Sequence, residues 1–177
     1  MKTIFAISGS TRKDSTNLHI LRTVALMYKE ELNFVVFNGL DQLPHFNPDL
    51  DTEPAPAAIT AFRNGLTAAD GVLICTPEYV FSLPGALKNA IEWTVSTTIF
   101  TNKPTALITA SSSGTKAHEA LQLLMSTLGA KTSADTSLLI QAPKTKVDAE
   151  GRITDAATLQ HLHQLMERFT GMLSIPA

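Results

Sequence analysis

The sequence predicts an α/β protein in which a parallel β-sheet of five strands is covered by helices on both faces, the doubly wound arrangement. Short apolar segments rich in β-branched residues alternate with longer segments of helical period. The segment at 71–76, GVLICT, is apolar almost throughout, as a strand buried on both faces should be. Right-handed crossovers between successive strands then lead to a doubly wound sheet.

Length and composition favour one domain with a sizeable core. The chain has 177 residues, 44% of them apolar and 17% charged, and we expect residues 1–177 to form a single domain. A net charge of −2 gives no basic surface for nucleic acid or an anionic membrane. The lone cysteine, Cys75, cannot form an internal disulfide, and the first apolar stretch is too short for a signal peptide or a membrane span. We therefore expect a soluble cytoplasmic protein.

The first half of the chain contains two strands, two helices and a long loop. TIFAIS at 3–8 and NFVVFN at 33–38 have the β-branched and aromatic content of strands. A helix is predicted between them, at about 16–30, from an apolar stripe formed by Leu18, Leu21, Ala25 and Tyr28. The proline-containing segment 39–53 is longer than an ordinary connection, so we expect it to be functional or packed over other residues. A second helix is predicted at 57–69.

The second half continues the alternation. Strands are predicted at 71–76, 104–110 and 137–142, with helices at about 84–96 and 115–128. The helix at 84–96 should begin at its proline, because the residue before a proline disfavours helical backbone. The last helix has apolar residues at steps of three and four, at Leu159, Leu162, Met166, Phe169 and Leu173.

The segment after the first strand has the composition of an anion site. Residues 8–17, SGSTRKDSTN, combine hydroxyl side chains with Gly9 and Arg12 and lead directly into a helix. The free amide groups and positive dipole end of a helix start suit a phosphate, and Arg12 offsets part of its charge. The segment matches neither GxGxxG nor GxxxxGK[ST], which disfavours nucleotide hydrolysis. An ordinary N-cap at Ser15 or Thr16 is the alternative.

Two further loops should lie at the same edge of the sheet. In TPEYVFSLPG at 76–85, two prolines stiffen the turn, and Tyr79 and Phe81 offer apolar faces to a flat ring; alternatively, these aromatics cap the core. SSSGTK at 111–116 again opens a helix with hydroxyl groups, which alternatively only cap it. Because ligands bind at the carboxyl ends of parallel strands, the three loops together predict a ligand with a phosphate at one end and a flat ring at the other.

These loops resemble a known family. GSTRKDSTN at 9–17, TPEYVFSLPGALKNAIEW at 76–93 and the serine-rich loop at 111–113 are similar to the NAD(P)H-dependent FMN reductases of the flavodoxin-like fold, which include azoreductases, quinone reductases and chromate reductases. Weaker similarity extends to LPHFNPDLD at 43–51 and DAEGRITD at 148–155. The resemblance implies strand order 2-1-3-4-5, FMN as cofactor and NAD(P)H as co-substrate.

The resemblance also implies the residues of an FMN site. They are Gly9, Ser10, Arg12, Ser15, Thr16, Asn17, Pro77, Glu78, Tyr79, Val80, Ser82, Ser111 and Ser112. Those expected around the phosphate are Ser10, Arg12, Ser15 and Asn17, and those expected near the flavin ring are Pro77, Glu78, Tyr79 and Ser82. The sequence departs from the family at Val80, where many members have Asn, and at Phe81, where Gly or His is common.

If FMN is bound, the flavin carries the chemistry, so no catalytic side chain and no metal site are expected. A hydride from NAD(P)H would reduce it, and a quinone, azo compound, metal oxyanion or free flavin would be the small-molecule acceptor. A flavodoxin-type electron carrier is the alternative, although such carriers are more acidic and lack a cation like Arg12. A receiver domain would need clustered acids for Mg²⁺ after the first strand, where residues 8–10 read SGS.

Two further expectations concern Cys75 and the helix at 84–96. Cys75 lies in a buried strand, so we expect a core thiol rather than a redox nucleophile. The apolar residues of the helix cover about half its circumference, wider than one sheet-facing stripe. Trp93 in particular needs cover, which favours a homodimer, or a dimer of dimers, through this helix. Cover by the loop at 98–102 is the alternative.

Overall fold

The computed structural model describes residues 1–37, 39–148 and 150–174. Its strands are β1 (Lys2–Ser8), β2 (Leu32–Phe37), β3 (Gly71–Thr76), β4 (Thr105–Ser111) and β5 (Ser137–Gln141). Its α-helices are α1 (Thr16–Met27), α2 (Ala57–Ala68), α3 (Gly85–Glu92), α4 (Thr115–Thr127) and α5 (Ala156–Leu173). The strands are all parallel and follow the order β2-β1-β3-β4-β5. The predicted flavodoxin-like α/β fold is confirmed.

Each face of the sheet carries its own apolar core. Helices α2, α3 and α4 pack on one face around Phe62, Leu87 and Leu121. Helices α1 and α5 pack on the other around Ile20 and Phe169. Strand β3 lies between the two cores and is buried at every position, which explains its nearly unbroken apolar sequence. None of the helices in the described ranges has the length and apolar character needed to cross a bilayer.

Several element ends differ from the prediction. Helix α1 ends at Met27 rather than near residue 30, because the amides of Glu31 and Leu32 both donate to the Tyr28 carbonyl in the turn that enters β2. Helix α3 ends at Glu92 rather than near residue 96. Beyond it the chain tightens into i→i−3 turns, a common form of helix end. Asn38, the predicted last residue of the second strand, lies outside the described residues.

The long loop at 39–53 packs over α3. Leu40 and Leu43 anchor it in the core. The Pro44 carbonyl accepts hydrogen bonds from the Asn89 amide (3.0 Å) and from the indole N–H of Trp93 (2.8 Å). Phe46 meets the Trp93 ring edge to face at a centroid distance of 5.1 Å. Of the two expectations for this loop, packing over other residues is therefore confirmed.

Trp93 is fully buried within the single chain. The expectation that its ring needs cover from a second copy is wrong, because Pro44, Phe46 and Arg63 surround it. The guanidinium of Arg63 lies 5.9 Å from the ring centroid, and its Nε donates to the Trp93 carbonyl at 2.7 Å. Helical periodicity alone missed this cover, which comes from the 39–53 loop and from Arg63 of α2, both distant in sequence.

An ion pair fastens the end of the same loop. Arg63 donates to the Asp51 carboxylate at 2.8 Å, and only 15% and 9% of the two side chains are exposed. Hydrogen bonds from the Ser96 hydroxyl and from Arg63 hold the pKa of Asp51 below its ordinary value. Since the folded-state pKa is the lower one, this contribution to stability is present at neutral pH and is lost as the pH falls below about 4.

We predict that Arg63→Met destabilises the protein by about 3 kcal/mol at pH 7, because it leaves the Asp51 carboxylate without its cation in a mostly buried position. Urea unfolding measures the change. Lys88→Met is the control, since Lys88 and Glu92 form an exposed pair on α3 and its loss should change stability by less than about 1 kcal/mol. Equal effects for the two variants would contradict the role given to Arg63.

Candidate functional site

The carboxyl ends of β1, β3 and β4 are neighbours in the sheet, so the loops that follow them meet at one edge. The strand order reverses between β1 and β3, where the next strand in sequence after β1 lies on its other side. At this point the Gly9 amide donates to the Cys75 carbonyl at 2.8 Å. A β-carbon at Gly9 would lie 2.6 Å from the Thr76 Cβ, so the close approach requires glycine.

A cavity of about 370 Å³ opens at this edge, a volume within the range of small-molecule sites. Its walls come from the segments that follow four strands. They are Ser10, Arg12, Ser15, Thr16, Asn17, Pro77, Glu78, Tyr79, Ala110, Ser111, Ser112, Ala142, Pro143, Lys144 and Thr145. The structure thus brings together most of the residues predicted for the site; Gly9, Val80 and Ser82 are not among the lining.

The loop before α1 has donors to offer. Ser15 is the N-cap of α1, its hydroxyl oxygen accepting the Asn17 amide at 3.2 Å. The Ser10 hydroxyl oxygen accepts the Arg12 amide at 3.3 Å. Both serines are buried, and in the part of the chain described neither O–H is given to a protein acceptor. An anion in the cavity would meet these two hydroxyl donors, the first amides of α1 and the exposed Arg12 side chain.

Asn17 has a structural task as well. Its side-chain amide donates to the Ala110 carbonyl at 3.3 Å, and its oxygen accepts the Cys75 S–H at 3.2 Å. This side chain therefore joins α1 to β3 and β4 directly beneath the cavity. Cys75 is fully buried, and burial raises the pKa of its thiol. The expected core thiol is confirmed, and such a thiol is a poor nucleophile at neutral pH.

The loop after β3 forms a tight turn beside the cavity. Tyr79 and Ser82 exchange backbone hydrogen bonds of 2.9 and 3.0 Å. Between them, Val80 and Phe81 have φ values of +51° and +56°, in the left-handed region. Positive φ at both central positions is what a type I′ turn requires. Val80 is 95% exposed and Phe81 77% exposed, so neither caps the core, which was the alternative for Phe81.

Glu78, predicted near the ring, caps the next helix. Its carboxylate accepts the Gly114 amide at 3.2 Å and the Ala117 amide at 2.9 Å, at the first turn of α4. Gly114 adopts a φ of +85° at the N-cap position, where it has no side chain to cap the helix itself. The Ser111 hydroxyl donates to the Glu78 carbonyl at 3.5 Å. Glu78 thus connects the second loop to the third.

Sequence reasoning missed one wall of the cavity. Residues 142–145 follow β5 and contribute Lys144 and Thr145 to the lining. The rule that ligands bind at the carboxyl ends of parallel strands applies to this segment too, and would have found it. No group of three or more His, Cys, Asp or Glu side chains in the described ranges is arranged to hold a metal ion.

The donor set and the cavity fit a phosphorylated ring compound, and comparison with known proteins identifies the family. The family model described as NADPH-dependent FMN reductase matches residues 2–144. The chain belongs to this FMN reductase family. As a member it is an NAD(P)H-dependent oxidoreductase that works with FMN, and its family acts on small-molecule acceptors. The alternative, a flavodoxin-type electron carrier, is not favoured, because the family model and the named relatives are reductases.

Individual relatives of this FMN reductase include quinone reductases. The 2-hydroxy-1,4-benzoquinone reductase of a Burkholderia species is 30% identical over 172 residues, which cover 94% of this chain and 93% of the relative. The quinone reductase of Escherichia coli K12 is 30% identical over 166 residues, covering 90% and 88%. Among solved structures, FerB, an NAD(P)H:(acceptor) oxidoreductase from Paracoccus denitrificans, aligns with a TM-score of 0.79 at 27% identity, covering 98% and 97%.

We predict that Cys75 of the native FMN reductase does not react with a thiol reagent such as Ellman's reagent, because the thiol is buried and its pKa is raised. One thiol per chain should react only in denaturant, and the midpoint of this reactivity should coincide with the midpoint of unfolding. Fast labelling of the folded protein at neutral pH would contradict the assignment as a core thiol.

Proposed function

We propose that residues 1–177 are one domain that holds FMN in the cavity beside β1, β3 and β4, with the phosphate at the start of α1 and the flavin ring beside Pro77–Ser82. The observation that carries this proposal is the donor set before α1. Ser10 and Ser15 accept backbone amides, which leaves their O–H groups for a ligand acceptor. Arg12 supplies the cation that a phosphate dianion favours.

The other end of the cavity suits the ring. Pro77 is buried and fixes the backbone at the end of β3, and Tyr79 extends from the loop with about half of its surface exposed. Ser111 and Ser112 add hydroxyl groups from the third loop. We propose that Gly9 permits the close approach of the first two loops, and that Thr16, Asn17, Val80 and Ser82 support the site from beside it.

In the proposed site, residues of the chain bind and orient FMN, and they exclude water from one side of its ring. When bound, FMN supplies the redox chemistry: a hydride from NAD(P)H carries two electrons to it, and the acceptor takes those two electrons together with two protons. Tyr79 and Pro77 would position the ring, and backbone donors of the loops would stabilise negative charge that develops on the reduced ring. No side chain is required as nucleophile or general base.

A quinone is the acceptor that the surroundings of the cavity favour. Relatives that match over most of this chain are named quinone reductases. The turn bordering the cavity exposes Tyr79, Val80 and Phe81, an apolar surface that a flat, uncharged ring contacts more favourably than a metal oxyanion does. We therefore propose quinone reduction as the principal activity, in a cytoplasmic setting that suits the chain's unpaired thiol.

We also propose a homodimer that uses the end of the 84–96 helix segment. Burial of Trp93 removes one reason for it, but Val95 at the same end is 60% exposed. Together with the exposed turn at Val80 and Phe81, it leaves apolar surface on both ends of this segment. A dimer of dimers would need a second contact surface on this segment, because the surface buried in each dimer is already occupied.

The phosphate assignment predicts that Arg12→Ala raises the FMN dissociation constant about tenfold or more, the effect of losing a charge-assisted hydrogen bond. Riboflavin, which lacks the phosphate, should bind the variant and the unmodified protein equally. Quenching of flavin fluorescence measures both constants. Ser10→Ala should act in the same direction.

Arg22→Ala is the matched control, because Arg22 is an exposed arginine on α1, the helix that follows the Arg12 loop, and lies outside the cavity lining. It should leave FMN affinity unchanged. If Arg12→Ala weakens riboflavin and FMN alike, the phosphate does not lie where we propose. If the unmodified protein binds no FMN at all, the proposed function fails.

The dimer proposal predicts a dimer mass in light scattering at micromolar concentration. Val95→Lys should shift the protein towards monomer, because it places a charge in an apolar contact. Leu123→Lys is the control, since Leu123 is at least as exposed as Val95 but lies on α4. A monomeric unmodified protein, or a dimer unaffected by Val95→Lys, would contradict the proposed interface.

A further inference from the structure

The turn at Tyr79–Ser82 is built from residues that disfavour its conformation. Type I′ turns favour Asn-Gly at the two central positions, because both residues need positive φ. Val80 and Phe81 adopt φ values of +51° and +56° instead, and a β-branched residue in this region is a rare outlier. Strain of this kind persists only where the surrounding structure enforces it. Because the side chains of Val80 and Phe81 are both exposed, their own packing does not enforce this strained conformation.

Glu78 directly precedes this turn and is bound at both backbone and side chain. Its carboxylate accepts the Gly114 and Ala117 amides of α4, and its carbonyl accepts the Ser111 hydroxyl. Pro77 before it and Pro84 after the turn restrict the backbone further. The carboxylate therefore joins the strained turn to the start of a thirteen-residue helix that is itself packed on the sheet.

We propose that Glu78 is a positioning residue, whose carboxylate holds the strained Tyr79–Ser82 turn, and with it Tyr79, against the cavity by binding the first turn of α4. The inference rests on the proposed function insofar as the positioned wall serves the flavin ring. Its physical content does not depend on FMN, because the hydrogen bonds and the strained turn belong to the chain alone.

Hydrogen exchange of the FMN-free protein, read by mass spectrometry, tests the positioning role. The Glu78 carboxylate accepts one hydrogen bond from each of two backbone amides. In Glu78→Gln an NH₂ group replaces one of the two oxygens and cannot accept, so at least one of these hydrogen bonds is lost. We expect the Tyr79 and Ser82 amides to exchange about tenfold faster or more, since a charge-assisted hydrogen bond is lost. The FMN dissociation constant should rise by a similar factor.

Glu119→Gln is the matched control. It removes the same charge from the first turns of α4, but Glu119 is exposed and pairs with Lys116 rather than capping the helix. It should change neither the exchange at 79–82 nor FMN affinity. If Glu78→Gln accelerates exchange only in α4 and leaves the turn and FMN affinity unchanged, Glu78 is a helix cap alone and the proposal is overturned. If no variant binds FMN, the proposed function fails, and the exchange at 79–82 still decides the positioning role.

Relieving the strain gives a second, independent test. Val80→Asn with Phe81→Gly supplies the residues that a type I′ turn favours, so the turn should no longer depend on Glu78. In that background, Glu78→Gln should accelerate exchange at 79–82 by a much smaller factor. The triple variant, which combines Glu78→Gln with Val80→Asn and Phe81→Gly, should be more stable than Glu78→Gln alone. It should therefore fold even if Glu78→Gln by itself does not. A full effect of Glu78→Gln in both backgrounds, or a triple variant no more stable than Glu78→Gln, would overturn the proposal.

Discussion

The close contact between Gly9 and Thr76 is the constraint on which the geometry of the site depends. It joins the ends of β1 and β3 at the point where the strand order reverses, and the Gly9 amide reinforces it by donating to the Cys75 carbonyl. With the strand ends so close, the loop at 8–17 and the loop at 76–85 both contribute walls to one cavity. Asn17 fixes the same junction from below, through hydrogen bonds to β3 and β4.

Stability and function are divided between regions of the chain. Contacts of Arg63 with Asp51 and Trp93, and of Trp93 with Pro44, join α2, α3 and the 39–53 loop on one face of the sheet. The cavity loops use serine hydroxyls, amides and one strained turn at the sheet edge instead. Backbone strain and exposed apolar side chains at such an edge reduce stability, whereas the contacts of the 39–53 loop over α3 add to it.

The sequence was sufficient for the fold class, which follows from local patterns, whereas the strand order and the individual site residues were implied by the family resemblance. Apolar periodicity located the five strands and five α-helices of the described residues, though not the short 3₁₀ turns, and the hydroxyl-rich helix starts located the loops at the sheet edge. The rest depends on contacts between distant segments. Neither the role of Glu78 as the cap of α4 nor the cover of Trp93 by Pro44 and Phe46 leaves a local signal. The strain at Val80 and Phe81 was visible only as a departure from the family pattern.

If FMN binds at the carboxyl edge of this sheet, an NMR titration of the ¹⁵N-labelled protein with FMN will locate it there. We predict that the largest amide shifts fall in the loops after β1, β3 and β4, at residues 10–17, 78–82 and 111–112. Shifts confined to the opposite edge of the sheet, or no shifts at a saturating FMN concentration, would contradict the account.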